Sequence, residues 1–154
     1  LYQGIIDDLI DRQTKYANTF LDLNKHPSEL TKHEQINLLM KILDKFVDFF
    51  YSNVSTDLIT LLLKEQQKEN FIAKSPALDY LRELVACVLD KDANDRVVIF
   101  KTLFIISQIN SPRILPGFSL RLLGQDDFIQ DDIKIIKENV MFYVKAVLKE
   151  AKVD

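Results

Sequence analysis

The sequence predicts an all-α fold, a multi-helix bundle, and three observations support this prediction. Only 3 glycines and 4 prolines occur in 154 residues, which is too few for a turn-rich β fold. Hydrophobic residues recur at helical spacings of three and four along most of the chain. Residues 97–109 are apolar on nearly every side, and such a helix must be covered on every side. We therefore expect this segment to be the central helix of the domain or half of an oligomer interface.

Two helices are predicted in the first third of the chain. The first covers about residues 1–24, where apolar residues lie on one stripe, and it ends before Pro27. The second covers residues 31–52, and its apolar face is wide enough to contact two neighbouring helices.

Polar residues mark the boundaries of the next two helices. A third helix starts at Asn53 or Ser55, and the polar run 67–70 ends it. Ser75 followed by Pro76 is a strong helix start, because proline at the first helical position gives up only an N–H that has no partner there. The fourth helix then continues to a charged turn.

The second half contains the apolar segment, a short helix and a long helix. We expect the apolar helix to stop at residues 110–111, because Pro112 disfavours helix in the residue before it. A short amphipathic helix at 118–123 should close at Gly124 in a left-handed cap. The last helix starts at residues 131–132, where two aspartates favour the positive end of the helix dipole.

Length and composition limit the classes of function. A chain of 154 residues is the size of one domain, and its net charge of -3 gives no general attraction for nucleic acid or an anionic membrane. The single cysteine, Cys87, cannot form an internal disulfide, and its apolar helical neighbours predict a buried, inert thiol. This usage fits the cytoplasm, and no apolar run reaches the roughly 18 residues of a membrane span.

The sequence contains no set of residues typical of catalysis. Asp90, Asp92 and Asn94 have the spacing of a calcium loop, but the glycine and the bidentate glutamate of such a loop are absent, and helix capping explains them better. The acidic cluster at 126–132 could hold a hard cation, yet turns and helix starts ordinarily contain the same residues. We predict no catalytic residue, no metal and no cofactor.

Three amides interrupt otherwise apolar stripes: Gln13, Gln66 and Gln108. A buried amide must be hydrogen-bonded, so each is either satisfied within the core or available to a ligand. Together with nearby aromatic residues they fit a mostly apolar small-molecule pocket, although aromatics at helical spacing are commonly plain core. The candidate aromatic residues are Tyr16, Phe20, Phe46, Phe50, Tyr80 and Phe104.

Short segments follow one another in a characteristic order over nearly the whole chain. They are Leu1-Tyr2, Leu61–Gln67, Ser75–Asp79, Ile106–Gln108 followed by Arg113, and Leu122–Gly124. This order, with a final amphipathic helix, resembles the C-terminal ligand-binding and dimerisation domain of TetR-family transcriptional regulators. The resemblance implies a three-helix DNA-binding domain upstream, which agrees with a chain that begins without methionine.

The resemblance also implies a homodimer in which the last two long helices of each chain form a four-helix interface. Burial within one chain would explain some of the apolar residues of these helices equally well. The candidate interface residues are Val98, Phe104, Ile105, Ile109, Val140, Tyr143, Val144 and Val147. A small-molecule effector would shift the population between two spacings of the DNA-binding domains, and we expect this coupling to begin at Leu9, Gln13 and Tyr16.

Two other classes of function remain open. A helical adaptor that binds a partner protein predicts a monomer with a contiguous apolar surface patch. An enzyme that acts on a bound small molecule is disfavoured by the lack of a base, a nucleophile or a metal set.

Overall fold

The computed structural model describes residues 2–68 and 74–153, which contain seven α-helices and no strand. The helices are α1 (Tyr2–Asn18), α2 (Lys32–Ser52), α3 (Thr56–Gln66), α4 (Pro76–Val88), α5 (Arg96–Ile114), α6 (Pro116–Leu123) and α7 (Gln130–Glu150). A 3-10 turn, Pro27–Glu29, precedes α2. The predicted all-α class is confirmed. The predicted helix start at Leu1 and the last residues of the polar run 67–70 lie outside the described residues.

Capping residues set the helix boundaries, and Ser55, Ser75 and Gly124 among them were predicted. Thr31 begins α2 in a reciprocal arrangement: its hydroxyl accepts from the N–H of Glu34 at 3.2 Å, and the Glu34 carboxylate accepts from the N–H of Thr31 at 3.3 Å. Ser55 and Ser75 each accept from the backbone N–H three residues ahead at 3.2 Å. Gly124 closes α6 with φ of 65°, the left-handed conformation that glycine adopts without steric cost.

Two predicted helix ends are wrong. The first helix stops at Asn18 rather than near residue 24, where the Thr19 hydroxyl donates to the carbonyl of Tyr16 at 2.7 Å and takes the place of a further helical bond. The fifth helix passes through Pro112 and ends at Ile114. Proline only disfavours helix in the preceding residue, and here tertiary contacts of the last turn override that preference.

Arg113 makes those contacts. Its guanidinium is buried and donates to the backbone carbonyls of Phe50 and Val54, the latter at 2.8 Å, and to the Thr56 hydroxyl at 3.1 Å. It therefore joins the end of α5 to the junction between α2 and α3, where two backbone carbonyls would otherwise lack helical donors.

The main hydrophobic core lies between α2, α4, α5 and α7. Its completely covered aliphatic side chains include Ile42, Leu43, Leu81, Leu84, Val98, Ile105, Val140 and Val144. Burial of each such side chain stabilises the fold by about 2 kcal/mol. At the rim, the ammonium of Lys137 on α7 lies 3.3 Å from Asp44 and 2.8 Å from Asp48 on α2.

A second, smaller cluster joins α1 to the end of α2 and to α3. Its buried members are Leu9, Phe49, Val54 and Ile59. The ring of Tyr16 packs beside Phe49, with 5.2 Å between the ring centroids. The N-terminal helix is therefore attached to the domain partly through this small cluster.

Helix α5 has two apolar faces with different surroundings. Its inner stripe is buried and consists of Val98, Thr102, Ile105, Ile109 and Arg113. Its outer face is only partly covered by the described residues and exposes Val97, Ile99, Phe100, Leu103 and Phe104. The chain thus covers one side of the apolar segment and leaves the other side open.

Within the described ranges, no single helix has the length and hydropathy of a membrane span. Helices α2 and α3 pass that test only as a pair, and the two are bent by 108°.

Candidate ligand cleft between α1, α3 and α4

An apolar cleft lies where α1 crosses the end of α2, α3 and the start of α4. Its volume is about 100 Å³. This is large compared with the space of one water and somewhat below the roughly 150 Å³ of an engineered cavity that holds benzene. The lining residues are Ile6, Leu9, Ile10, Gln13, Phe49, Phe50, Val54, Ile59, Leu62, Gln66, Ser75 and Leu78.

The polar groups of the cleft are contributed by Gln13, Gln66 and Ser75. The Ser75 hydroxyl accepts from the backbone N–H of Leu78 at 3.2 Å and donates to the Gln13 carbonyl oxygen at 2.7 Å. The oxygen of the Gln13 amide faces Ser75, and its NH₂ group points elsewhere. Among the described residues, that NH₂ group has no hydrogen-bond partner. It is therefore free to donate to a ligand.

Within residues 2–68 and 74–153, no ionisable side chain lines the cleft. The nearest buried charge is Arg113, whose guanidinium lies 5.7 Å from the ring centroid of Phe50 and 5.5 Å from that of Tyr51. Burial lowers the pKa of Arg113, an effect partly opposed by Asp127 and Tyr51. The donors of Arg113 described above are directed at the backbone behind Phe50, so the guanidinium does not supply an ion pair inside the cleft.

Some of the predicted ligand-binding residues lie at the cleft, others in the main core and others on α5. Gln13, Phe50 and Gln66 line the cleft, and Tyr16 packs one turn farther along α1, next to Phe49. Burial, chiefly, raises the pKa of the Tyr16 phenol.

The remaining predicted residues lie elsewhere. Phe46 and Tyr80 are buried in the main core, and Phe20 packs against that core. On α5, Gln108 is half-buried and Phe104 is exposed on the outer face, and neither lines the cleft. An amide on an apolar stripe thus lines the cleft in some positions and lies at the edge of the core in others.

The predicted interface residues lie mostly on the inner stripes of α5 and α7. They are covered by the chain's own core, except for Tyr143, which is half-buried, and Phe104, which is exposed on the outer face of α5. The buried residues of this set are Val98, Ile105, Ile109, Val140, Val144 and Val147.

The contacts of Gln35 and Arg113, which are among the buried polar side chains, and a second role of Ser75 were not predicted from the sequence. Gln35 donates to the carbonyls of Pro27 and Leu30 at 3.0 and 3.3 Å, and so holds the 3-10 turn against α2. Its position one turn before the buried Leu39 was a usable signal. Arg113 is the other buried group, and Ser75 was recognised only as a cap although it also orients Gln13.

The other candidate groups have structural partners. Burial raises the pKa of the half-buried Cys87 thiol, which keeps it in the poorly nucleophilic protonated form. Asp132 accepts from the N–H of Ile129 at 2.9 Å and from the amide of Gln125 at 2.8 Å, as a residue at a helix start does. The described ranges contain no group of three metal-ligating side chains.

A scan against models of known protein families finds no match, and a search of curated proteins finds no matching sequence.

Proposed function

We propose that this chain is the ligand-binding and dimerising domain of a bacterial, cytoplasmic transcriptional regulator similar to the TetR family. The proposal is carried by one observation: the apolar cleft is closed on one side by α1, which contributes Ile6, Leu9, Ile10 and Gln13. In regulators of that type, the first helix of this domain adjoins the DNA-binding domain. A ligand in the cleft would therefore contact the helix that must move.

The regulatory step is a shift between two positions of α1. A ligand that fits the cleft better in one position favours that position by the difference in its two affinities. Two DNA-binding domains, one attached to each α1 of a dimer, would need a spacing of roughly 34 Å to enter successive major grooves. The hydrogen bond between Gln13 on α1 and Ser75 before α4 would be strained or broken by this movement.

The outer apolar faces of α5, α6 and α7 support dimerisation in this proposal. A second copy would cover the large exposed apolar side chains of these three helices. The exposed side chains are Val97, Phe100, Leu103, Phe104, Leu115, Phe118, Leu122, Ile135 and Phe142. The same surface would serve an adaptor that binds a different protein, so the oligomeric state separates the two functions.

The dimer is tested by light scattering on the purified chain. We expect a dimer, and we expect the double variant Phe100→Ser, Phe104→Ser to be a monomer with unchanged helix content. Ile5→Ser, an exposed apolar residue on α1, is the matched control and should remain dimeric. A wild-type chain that stays monomeric at micromolar concentration would contradict the dimer and favour the adaptor.

Ligand binding is tested with hexan-1-ol as a small amphipathic probe, followed by the methyl NMR signals of Leu9 and Leu62. Leu62→Trp should fill the cleft and abolish the shifts, whereas Leu122→Trp on the exposed face of α6 should leave them unchanged. Shifts that persist in Leu62→Trp, or no shifts in the wild-type chain, would contradict the cleft as a ligand site.

A further inference from the structure

Among the residues that the structure describes, the cleft combines an apolar wall with an amide donor and is lined by no charged side chain. All twelve lining side chains are uncharged at neutral pH. A charged group transferred from water into such surroundings loses hydration without gaining an ion pair, and this is among the most unfavourable changes in binding. The cleft therefore discriminates between ligands by their charge before it discriminates by their shape.

The orientation of Gln13 adds a second criterion. Its carbonyl oxygen is occupied by the Ser75 hydroxyl, so the amide presents its NH₂ group to a ligand. A ligand atom at this position must accept a hydrogen bond. Gln66, which is exposed at the mouth of the cleft, can donate or accept and does not alter this requirement.

The buried guanidinium of Arg113 makes the cleft bind cations more weakly than anions. It lies behind the Phe50 ring, and its positive charge is unfavourable for a second cation in the cleft. A carboxylate offers an acceptor but lacks a partner of opposite charge within contact. An ammonium group offers only donors, so it fails both the charge and the hydrogen-bond criterion.

We infer that the ligand of this cleft is an uncharged, mainly apolar molecule with one acceptor oxygen, such as a hydroxyl, carbonyl or ether, bound to the NH₂ group of Gln13. This inference rests on the proposed function, because it specifies the class of effector that the same cleft receives. It excludes fatty carboxylates and amphipathic amines as the preferred ligands.

The test compares four probes of the same carbon chain on the full chain at neutral pH: hexan-1-ol, hexanoate, hexylammonium and hexane. Affinities are measured from the NMR shifts of the cleft methyl groups. We expect hexan-1-ol to bind at least about tenfold more tightly than hexanoate, and hexylammonium to bind most weakly. Hexanoate or hexylammonium binding as tightly as hexan-1-ol would overturn the inference and leave the cleft intact as a ligand site. No shift with any probe would overturn the proposed cleft and this inference with it.

Two variants separate the hydrogen bond from general packing. Gln13→Leu should lower the affinity for hexan-1-ol about fivefold and leave the affinity for hexane unchanged. Gln13→Glu retains an acceptor for Ser75 and adds a negative charge, so it should make hexylammonium the preferred ion. Gln108→Leu on α5 is the matched control and should change none of the affinities. An equal loss of hexane and hexan-1-ol binding in Gln13→Leu, or no gain for hexylammonium in Gln13→Glu, would overturn the assigned role of Gln13.

Discussion

The main core and the small cluster beside the cleft are built from the same kinds of residues, but only the main core is fully covered. The main core places completely covered aliphatic side chains on four helices, whereas the small cluster has Leu9, Phe49, Val54 and Ile59 as its buried members and a cleft beside them. Stability is therefore concentrated in the main core. The region around α1 can change conformation at a lower cost, and regions that respond to ligands have this property.

The largest expected effect comes from a matched pair of leucine truncations. Leu81→Ala leaves a closed cavity in the main core and should lower the free energy of unfolding by about 4 kcal/mol. Leu62→Ala enlarges a cleft that is already open and should lower it by about 1 kcal/mol. Urea unfolding followed by circular dichroism measures both. Equal losses in the two variants would show that the regions do not differ as described.

A second pair of variants tests the connection between the two regions. Arg113→Met removes the donors of two backbone carbonyls and one hydroxyl at the junction between α2 and α3, and should lower the free energy of unfolding by about 3 kcal/mol. Arg12→Met is the control: Arg12 donates to the carbonyl of Asn53 at 3.3 Å but is exposed, so its loss should cost about 0.5 kcal/mol. Similar midpoints in urea for both variants would contradict a structural role of Arg113.

The smallest expected changes in stability come from removing two helix caps. Ser55→Ala should cost about 1 kcal/mol, the typical value for a lost cap. Ser75→Ala removes a cap and also the hydrogen bond to Gln13, and should cost about 2 kcal/mol. Thermal unfolding of the two variants in parallel measures the difference. If Ser55→Ala is the more damaging change, the link between Ser75 and Gln13 contributes little.

The elements that sequence analysis predicted well are those set by local chemistry. Ser55, Ser75 and Gly124 mark helix boundaries because the bonds and dihedral angles they supply involve only neighbouring residues. The end of α5 was predicted wrongly, since the local preference at Pro112 is overridden by Arg113 contacts with a segment far away in the chain.

The candidate site was predicted only in part for a similar reason. Periodicity identifies which residues share a helix face, but it does not reveal what lies opposite that face. Gln13 and Gln66 were found because they interrupt apolar stripes, and Gln108 met the same criterion without lining the cleft. The inner and outer faces of α5 are both apolar, so the sequence alone could not separate the stripe buried by the chain from the stripe left open.

The passage of α5 through Pro112 has a consequence for how the helix opens. Proline has no N–H, so the carbonyl of Gln108 lacks its helical donor, and the ladder of backbone bonds is interrupted one turn before Ile114. The final turn is held by the side chain of Arg113 rather than by an unbroken ladder. Loss of the Arg113 contacts would therefore let this turn open as a separate unit, with faster amide hydrogen exchange than the preceding turns, while the rest of α5 stays folded.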